Sequence, residues 1–426
     1  MKKYRTMLLF LLFNVVLLCY GCSEQEKTEG KKDETIVIPI MMRMDPQTNG
    51  SSDFDLVEEF NSIYEGRYRV EIEWIVETES GYRTKLKQLN ALDKLPAVIT
   101  DVGFDDKFLQ LLKENGRLVE ISSYIESSPE WREAIREDIY MEMKEEDGAV
   151  YVSPLGNLMY SNAGIIYNKR MLKEAGYETF PDTWEDFFQC LDKIGESGVT
   201  PLSLHGGGDY WVPMLLSTAY VSGETDGKAF ISQKFPETYQ NDVMRNMMQF
   251  MKNLYEYSYD DALNIEYNVA EQRFFKEEAA IIANGSWMFM GLSDEEKNKY
   301  GFASFPGGIL IGSWEMTAWA AINTQPEEVR KGAVEFLKFR TLKDKADIEK
   351  DMELIKQEEN NSIMQMYHQQ AWMAEQFVPN YQINWEQGIT GDYMVSAIPL
   401  YINDEIDLET FLRQMDEALE EIEKEQ

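Results

Sequence analysis

The chain of 426 residues predicts an α/β fold in two domains, on three observations. Short apolar, β-branched runs alternate with segments whose apolar residues recur at helical spacing, which is the pattern of an α/β architecture. The body of about 400 residues that follows a polar leader region exceeds what one hydrophobic core usually holds. Neither an internal repeat nor a later run of about 20 apolar residues interrupts the alternation.

The chain opens with Lys2, Lys3 and Arg5 ahead of an apolar run over residues 7–20, broken only by Asn14. That is a signal-peptide pattern over residues 1–21, too short for a membrane-spanning helix. It ends at Cys19-Tyr-Gly-Cys22, which resembles the lipobox of bacterial lipoproteins, although Cys19 and Tyr20 depart from the usual residues. The resemblance implies that Cys22 becomes an acylated N-terminus, held at the cell membrane on the extracytoplasmic side. Residues 22–34 are polar and charged without periodicity and read as the tether between that anchor and the folded body.

Residues 35–42 are apolar and β-rich, and Pro39, lacking a ladder donor, predicts an edge position or a break. Leu56, Val57, Phe60, Asn61, Ile63 and Tyr64 then form a helical stripe, and Val70, Ile72, Trp74 and Val76 form a strand by alternation. A helix over 82–92 precedes a short strand over 97–100, whose end throws residues 101–104 into a loop. In open α/β sheets ligands collect at such carboxyl ends. Strands are expected at 149–154 and 164–168. A helix begins in Phe180-Pro-Asp-Thr-Trp-Glu-Asp186 with Thr183 or Asp182 as N-cap, and others cover 243–257, 268–275 and 327–341. An apolar segment lies at 279–283.

Charge and cysteine usage narrow the function. Lys and Arg number 41 against 76 Asp and Glu, a net charge of −35, and loss of Lys2, Lys3 and Arg5 with the leader deepens it to −38. Such a chain repels nucleic acid and anionic head groups. The densest acids, Glu417, Glu420, Glu421 and Glu423, read as a solvated helix face. Cys190 is the only cysteine beyond residue 22, which leaves no disulfide framework, and its amphipathic surroundings predict a packed thiol. His205 and His368 are too few and too far apart for a zinc site, and nothing in the chain asks for a cofactor.

Several motifs follow in order: Tyr151-Val-Ser-Pro154, Ile166-Tyr-Asn-Lys169, Ala175-Gly176, Pro181-Asp-Thr-Trp-Glu185, Gly198-Val-Thr-Pro201, Phe274-Phe-Lys-Glu-Glu-Ala-Ala-Ile281, Asn284-Gly-Ser-Trp287, Tyr300-Gly301, Phe305-Pro306 and Ala333-Val-Glu-Phe-Leu-Lys-Phe339. Together they resemble the extracellular solute-binding proteins of bacterial ABC importers, in the maltose-binding-like group, from about residue 56 to 342. The resemblance implies a periplasmic-binding-protein-like fold, with two α/β lobes, hinge crossovers and an interlobe cleft. It places crossovers near residues 158–163, 314–318 and Trp385. The first lobe is then 35–158 plus 319–383, and the second 159–318 plus 384–426. It also implies a monomer without enzymatic activity, whose partners are a carbohydrate and the permease subunits that read the closed lobes.

A sugar offers an apolar C–H face and a rim of hydroxyls, so its binder needs aromatic planes beside bidentate polar groups. Trp287 matches the family element whose tryptophan stacks on a sugar ring. Trp211 follows His205-Gly-Gly-Gly-Asp-Tyr210, a glycine-rich loop through which backbone can approach a ligand; the loop lacks the Gly-Lys-Ser/Thr ending of a phosphate cradle. Trp314 and Glu315 at the second crossover face the cleft in family terms, whereas Trp319 reads as strand core. Asp101, Arg43 and Asp45 at strand ends, Tyr160 at the first crossover and Trp385 at the third complete the candidates. Trp184 reads as structural. A secreted glycosidase with paired carboxylates, the same lobes around a polyamine or iron, and a purely interactive surface lipoprotein are the rival readings.

Overall fold

The computed structural model describes residues 35–44, 53–77, 79–102, 106–154, 162–289, 291–312, 318–355, 362–374 and 376–425. Cys22, the leader and the tether lie outside them. The strands are β1 (Ile36–Met44), β2 (Tyr68–Val76), β3 (Val98–Ile99), β4 (Ala163–Asn168), β5 (Thr200–Leu202), β6 (Ala279–Gly285), β7 (Tyr300–Ala303), β8 (Ile309–Ile311), β9 (Ala320–Ala321) and β10 (Gln376–Val378). They build two sheets, ordered β2-β1-β3-β9 and β10-β8-β4-β6-β5, with β7 also pairing β4. The protein is a two-lobed α/β structure in which each sheet organises its own hydrophobic core.

In the first sheet β1 runs parallel to β2, from Ile36 opposite Tyr68 to Met44 opposite Val76, and parallel to β3, where Ile40 faces Val98. β1 is therefore a central strand, which corrects the edge position expected from Pro39. The carbonyl of Pro39 accepts from the Ala97 N–H (2.7 Å). A strand residue's N–H and C=O point the same way, so the missing donor faces the approach to β3, just before the ladder starts at Val98. The tolerance of proline at bulges and strand starts extends to that spot.

The helix Asp53–Ile63 lays Leu56, Val57 and Phe60 into the first core. Asn61, the polar member of its stripe, clamps β2: its Nδ2 donates to the Val70 carbonyl (3.0 Å) and its Oδ1 accepts from the Val70 N–H (2.7 Å). The expected strand over 149–154 does not form. Val150 and Val152 are buried, but only Ser153 pairs, as an isolated bridge to Trp319. Trp319 is a core residue as expected, with the Arg340 guanidinium 3.7 Å over its ring.

In the second lobe β4 is antiparallel to β6, β7 and β8, while β5 runs parallel to β6 and β10 to β8. The helix Trp184–Glu196 starts from Thr183, whose hydroxyl accepts from the Asp186 N–H (3.1 Å), and it buries Phe187, Cys190, Leu191 and Ile194. Burial pushes the Cys190 thiol up to about 12, as suits a packed side chain. Trp184 meets Phe187, Tyr220 and Phe250 edge-on at 5.5, 5.7 and 5.0 Å, a structural role.

The first core includes Val152 and resumes at Ala318, and the second runs from Ala163 to Ile311 between them; the residues of the first two expected crossovers lie largely outside the described residues. The third differs. One continuous helix, Glu327–Ile355, places Phe336 and Leu337 in the first core and Ile348 in the second. Ile363, Tyr367, Ala371, Val378 and Tyr381 also belong to the second core. The assignment of 319–383 to the first lobe is thereby corrected, and Trp385 lies away from the crossing. Among the described residues no helix is long and apolar enough to cross a membrane.

Candidate functional site

Parallel pairing of β5 with β6, Thr200 opposite Ala279 and Leu202 opposite Ile281, brings the carboxyl ends of the two strands to one edge. Beyond β5 the chain runs through His205 and three glycines into the helix Trp211–Ser222. Beyond β6 it enters the 3-10 turn Ser286–Met288, which carries Trp287. Both tryptophans singled out in the sequence therefore meet at this edge, their ring centroids 6.0 Å apart at 47°.

A third ring joins them. Tyr267, the first residue of the helix Tyr267–Phe275, lies 4.9 Å from Trp211. Its hydroxyl donates to Glu271 Oε1 (2.6 Å) and accepts from Asn284 Nδ2 (2.8 Å), and Asn284 is wholly buried at the end of β6. Burial, reinforced by the Glu271 carboxylate, holds the Tyr267 hydroxyl well above its ordinary range, so it stays a neutral donor. The result is an aromatic platform of which Trp287, 43 % exposed, is the open face. Most large aromatics in this lobe are packed, and Trp287 instead presents its indole to solvent on a pinned ring cluster.

Glycines shape the edge. The ring of Trp287 lies over Gly285, where a Cβ would come 2.1 Å from Cζ3. Gly206 and Gly207 donate their backbone N–H groups to the Ile265 carbonyl (3.3 and 2.8 Å), an approach that a Cβ at 207 would block at 2.8 Å from Ile265. Gly208 turns the chain at φ +93° and delivers Asp209, whose side chain is about half exposed beside the platform. Burial raises the Asp209 pKa, against the pull of the Trp211 N–H. Under the rings His205 is fully buried. Burial lowers its imidazolium to about 4, so the ring is neutral near pH 7.

On the other lobe, Arg43 and Asp101 sit at the carboxyl ends of β1 and β3, Asp101 in the left-handed region at φ +53°. Tyr82 organises this edge: its hydroxyl donates to the Met41 carbonyl (2.9 Å), lies 2.9 Å from Thr100 Oγ1 and feels the opposing charges of Asp101 and Arg43. In each lobe the candidate residues thus stand at the carboxyl ends of parallel strands.

Trp385 does not belong to this group. It is 3 % exposed and packed against Tyr381 (4.7 Å), Tyr239 (5.0 Å) and Phe230 (5.6 Å), a core position of the second lobe. Asp45, Tyr160, Trp314 and Glu315 lie outside the described residues. Tyr267, Asp209 and His205 also gather at this edge, none of them a candidate from the sequence. His205 and Asp209 flank the glycines that drew attention to Trp211, whereas Tyr267 had no local signal beyond starting a helix two elements before Trp287. Among the described residues no three metal-ligating side chains gather.

The profile of the family described as bacterial extracellular solute-binding protein matches residues 46–346. The multiple sugar-binding protein of Streptococcus mutans is 26 % identical over 194 residues, covering 42 % of this chain and 45 % of that one. The diacetylchitobiose binding protein DasA of Streptomyces coelicolor is 22 % identical over 224 residues, covering 51 % of this chain and 48 % of that one. The alignments thus span about half the length of these curated relatives. Among solved structures, a chitin oligosaccharide binding protein superposes with a TM-score of 0.65 at 17 % identity, covering 91 % of this chain and 98 % of that one. The raffinose complex of the binding protein RafE gives 0.62 at 15 % identity, covering 90 % and 98 %.

Proposed function

Because the chain belongs to the bacterial extracellular solute-binding proteins, we propose that it captures a carbohydrate, in oligosaccharide form, between its lobes and delivers it to an ABC permease. The observation that carries this reading is the platform of Trp287, Trp211 and Tyr267, with an indole face open to solvent at the carboxyl edge of the second sheet. A pyranose C–H face stacks on such a surface, and its rim of hydroxyls bonds to carboxylates and guanidinium groups. Asp209 stands on the platform's own lobe, and Arg43 and Asp101 supply the opposite wall. Asp45, Tyr160, Trp314 and Glu315 are further proposed contacts, on their sequence positions alone.

A ligand held by both walls has more contacts when the lobes close, so it shifts the population toward the closed form. The closed outline is what a permease reads. In this reading the lobes comprise residues 35–154 with 318–342, and 162–312 with 348–425. Cys22 carries the lipid anchor on the extracytoplasmic side of the membrane, the protein acts as a monomer, and no bond of the solute is broken. The sugar-binding names of its relatives support the ligand class.

The test is isothermal titration of the purified protein against a panel of oligosaccharides, with spermidine and ferric iron as contrasts. Binding to a saccharide, weakened about 30-fold by Trp287→Ala, is expected, because burying an indole in an interface is worth about 2 kcal/mol. Binding confined to the polyamine or the metal overturns the carbohydrate assignment, and shortened saccharide products overturn the binding-only role. For the anchor, Cys22→Ala releases the protein from the membrane fraction.

A further inference from the structure

We infer that His205 is a positioning residue that aims the Asp209 carboxylate at a ligand hydroxyl, making Asp209 the polar determinant of the aromatic platform. The ligand side of this inference rests on the carbohydrate reading above, while the pairing of the two residues stands by itself.

The geometry starts with an unmet requirement. His205 is 0 % exposed, yet neither ring nitrogen makes a hydrogen bond. Buried polar atoms are almost always satisfied, and an unpaired one is costly. The ring is wedged by Tyr267, edge-on at 5.7 Å, and by Trp211 at 6.3 Å, so it has little freedom to seek another partner. Asp209 Oδ1 lies 3.3 Å from its Nδ1, close enough to pair but outside hydrogen-bonding alignment. Both the carboxylate and the backbone carbonyl of Asp209 face this ring.

The adjustable member of the pair is Asp209, half exposed and held by the long contact of its Oδ1 with the Trp211 N–H (3.5 Å). Its loop is pinned through Gly206 and Gly207 to the Ile265 carbonyl, and Gly208, at φ +93°, is the turn after which the aspartate is delivered. In the proposed pairing one oxygen of its half-exposed carboxylate takes the Nδ1–H of His205, and the other is left for a ligand at the platform. A ligand hydroxyl that donates to that outer oxygen selects the same rotamer, so ligand and imidazole hold the carboxylate from opposite sides. A neutral imidazole is the right anchor. It orients the aspartate without a positive charge that would compete with the ligand for it. In metal sites a residue behind the ligand orients it in a comparable way, there with the carboxylate behind the histidine.

The chain holds only two histidines, so their ring nitrogens can be resolved by 15N NMR of imidazole-labelled protein. In ligand-free protein His205 is expected as a neutral ring protonated at Nδ1, and Asp209→Ala is expected to shift that resonance. A His205 spectrum indifferent to Asp209→Ala overturns the pairing. Titration with the saccharide that binds best supplies the second arm. Asp209→Ala and His205→Phe are each expected to weaken binding about tenfold or more, and the double variant to bind no worse than Asp209→Ala alone. His205→Asn, whose amide puts a donor near the Nδ1 position, is expected to recover most of the affinity that His205→Phe loses. Additive losses, or equal affinity of His205→Phe and wild type, overturn the positioning role. If the wild type binds no saccharide at all, the carbohydrate reading fails while the NMR arm still decides the pairing.

Discussion

Alanine at position 285 separates the platform from the fold that carries it. An added Cβ would lie 2.1, 2.2 and 2.5 Å from Cζ3, Cη2 and Cε3 of Trp287, where carbon atoms in contact rest about 3.5–4.0 Å apart. The ring must therefore shift by about 1.5 Å. The backbone at 285, φ −109° and ψ 179°, is extended and open to alanine, so Gly285→Ala introduces no backbone strain. Trp287 is nearly half exposed, and the easiest relief is to swing the indole outward, away from Trp211. That removes the flat surface while β6 stays in register. Saccharide affinity is expected to fall about 10- to 100-fold, or 1.4–2.7 kcal/mol, with unfolding free energy changed by less than about 1 kcal/mol. Calorimetric titration and urea unfolding of both proteins, with the tryptophan emission maximum as a report on the indole, measure the three quantities. Unchanged affinity would refute the placement of Trp287 in the ligand surface. A loss of several kcal/mol in stability with unchanged emission would show that β6, not the ring, yields.

Burial holds the His205 imidazolium down at about 4 from 6.5, so between those values the unfolded chain takes up a proton that the folded chain refuses. The stability this provides is intact above pH 6.5 and falls as the pH drops toward 4, by up to about 3 kcal/mol; urea titrations at pH 7 and 4.5 should show a smaller acid loss for His205→Phe than for wild type. Thr183→Ala should cost about 1 kcal/mol by removing the cap of the helix Trp184–Glu196, whereas Asp182→Ala, whose position bonds among the described residues through its backbone carbonyl to the Gly307 N–H, should leave the melting temperature unchanged. The Cys190 thiol, wholly buried with its pKa pushed up to about 12, should resist a disulfide exchange reagent at pH 8 in the native protein and react within minutes in denaturant; rapid native labelling would contradict its packing.

What could be read in the sequence is what short-range pattern encodes. The alternation of Val70, Ile72, Trp74 and Val76, the Thr183 cap and the buried run of β6 all announce themselves within a dozen residues. The two tryptophans were legible because one follows a glycine-rich loop and the other stands in a recognisable motif. Tyr267 was not, since its place depends on β5 lying beside β6, and no local spacing states which strands are neighbours. Residues 149–154 have the composition of a strand, but their backbone finds a single bridge and packs instead through Val150 and Val152. Trp385 shows the converse error: an aromatic near an expected crossover is sealed by Tyr239 and Tyr381 once that crossover moves into the helix Glu327–Ile355. An apolar stripe that passes from one core to the next carries no mark at the transfer.

That helix, Glu327–Ile355, is a beam that reaches from one core into the other. Leu337 and Ile348 are eleven residues apart, three turns and about 16 Å along the axis, so they point from the same side of the cylinder into different interiors. A helix surrenders hydrogen bonds to swivel, so under the proposed closure this segment would bend as gentle curvature over those three turns. Thr341, midway along, bonds through its hydroxyl to the Leu337 carbonyl (3.3 Å) and to the Pro154 carbonyl at the brink of the first connection (3.1 Å). The hydroxyl thereby ties the helix to Pro154, the last described residue before the first connection.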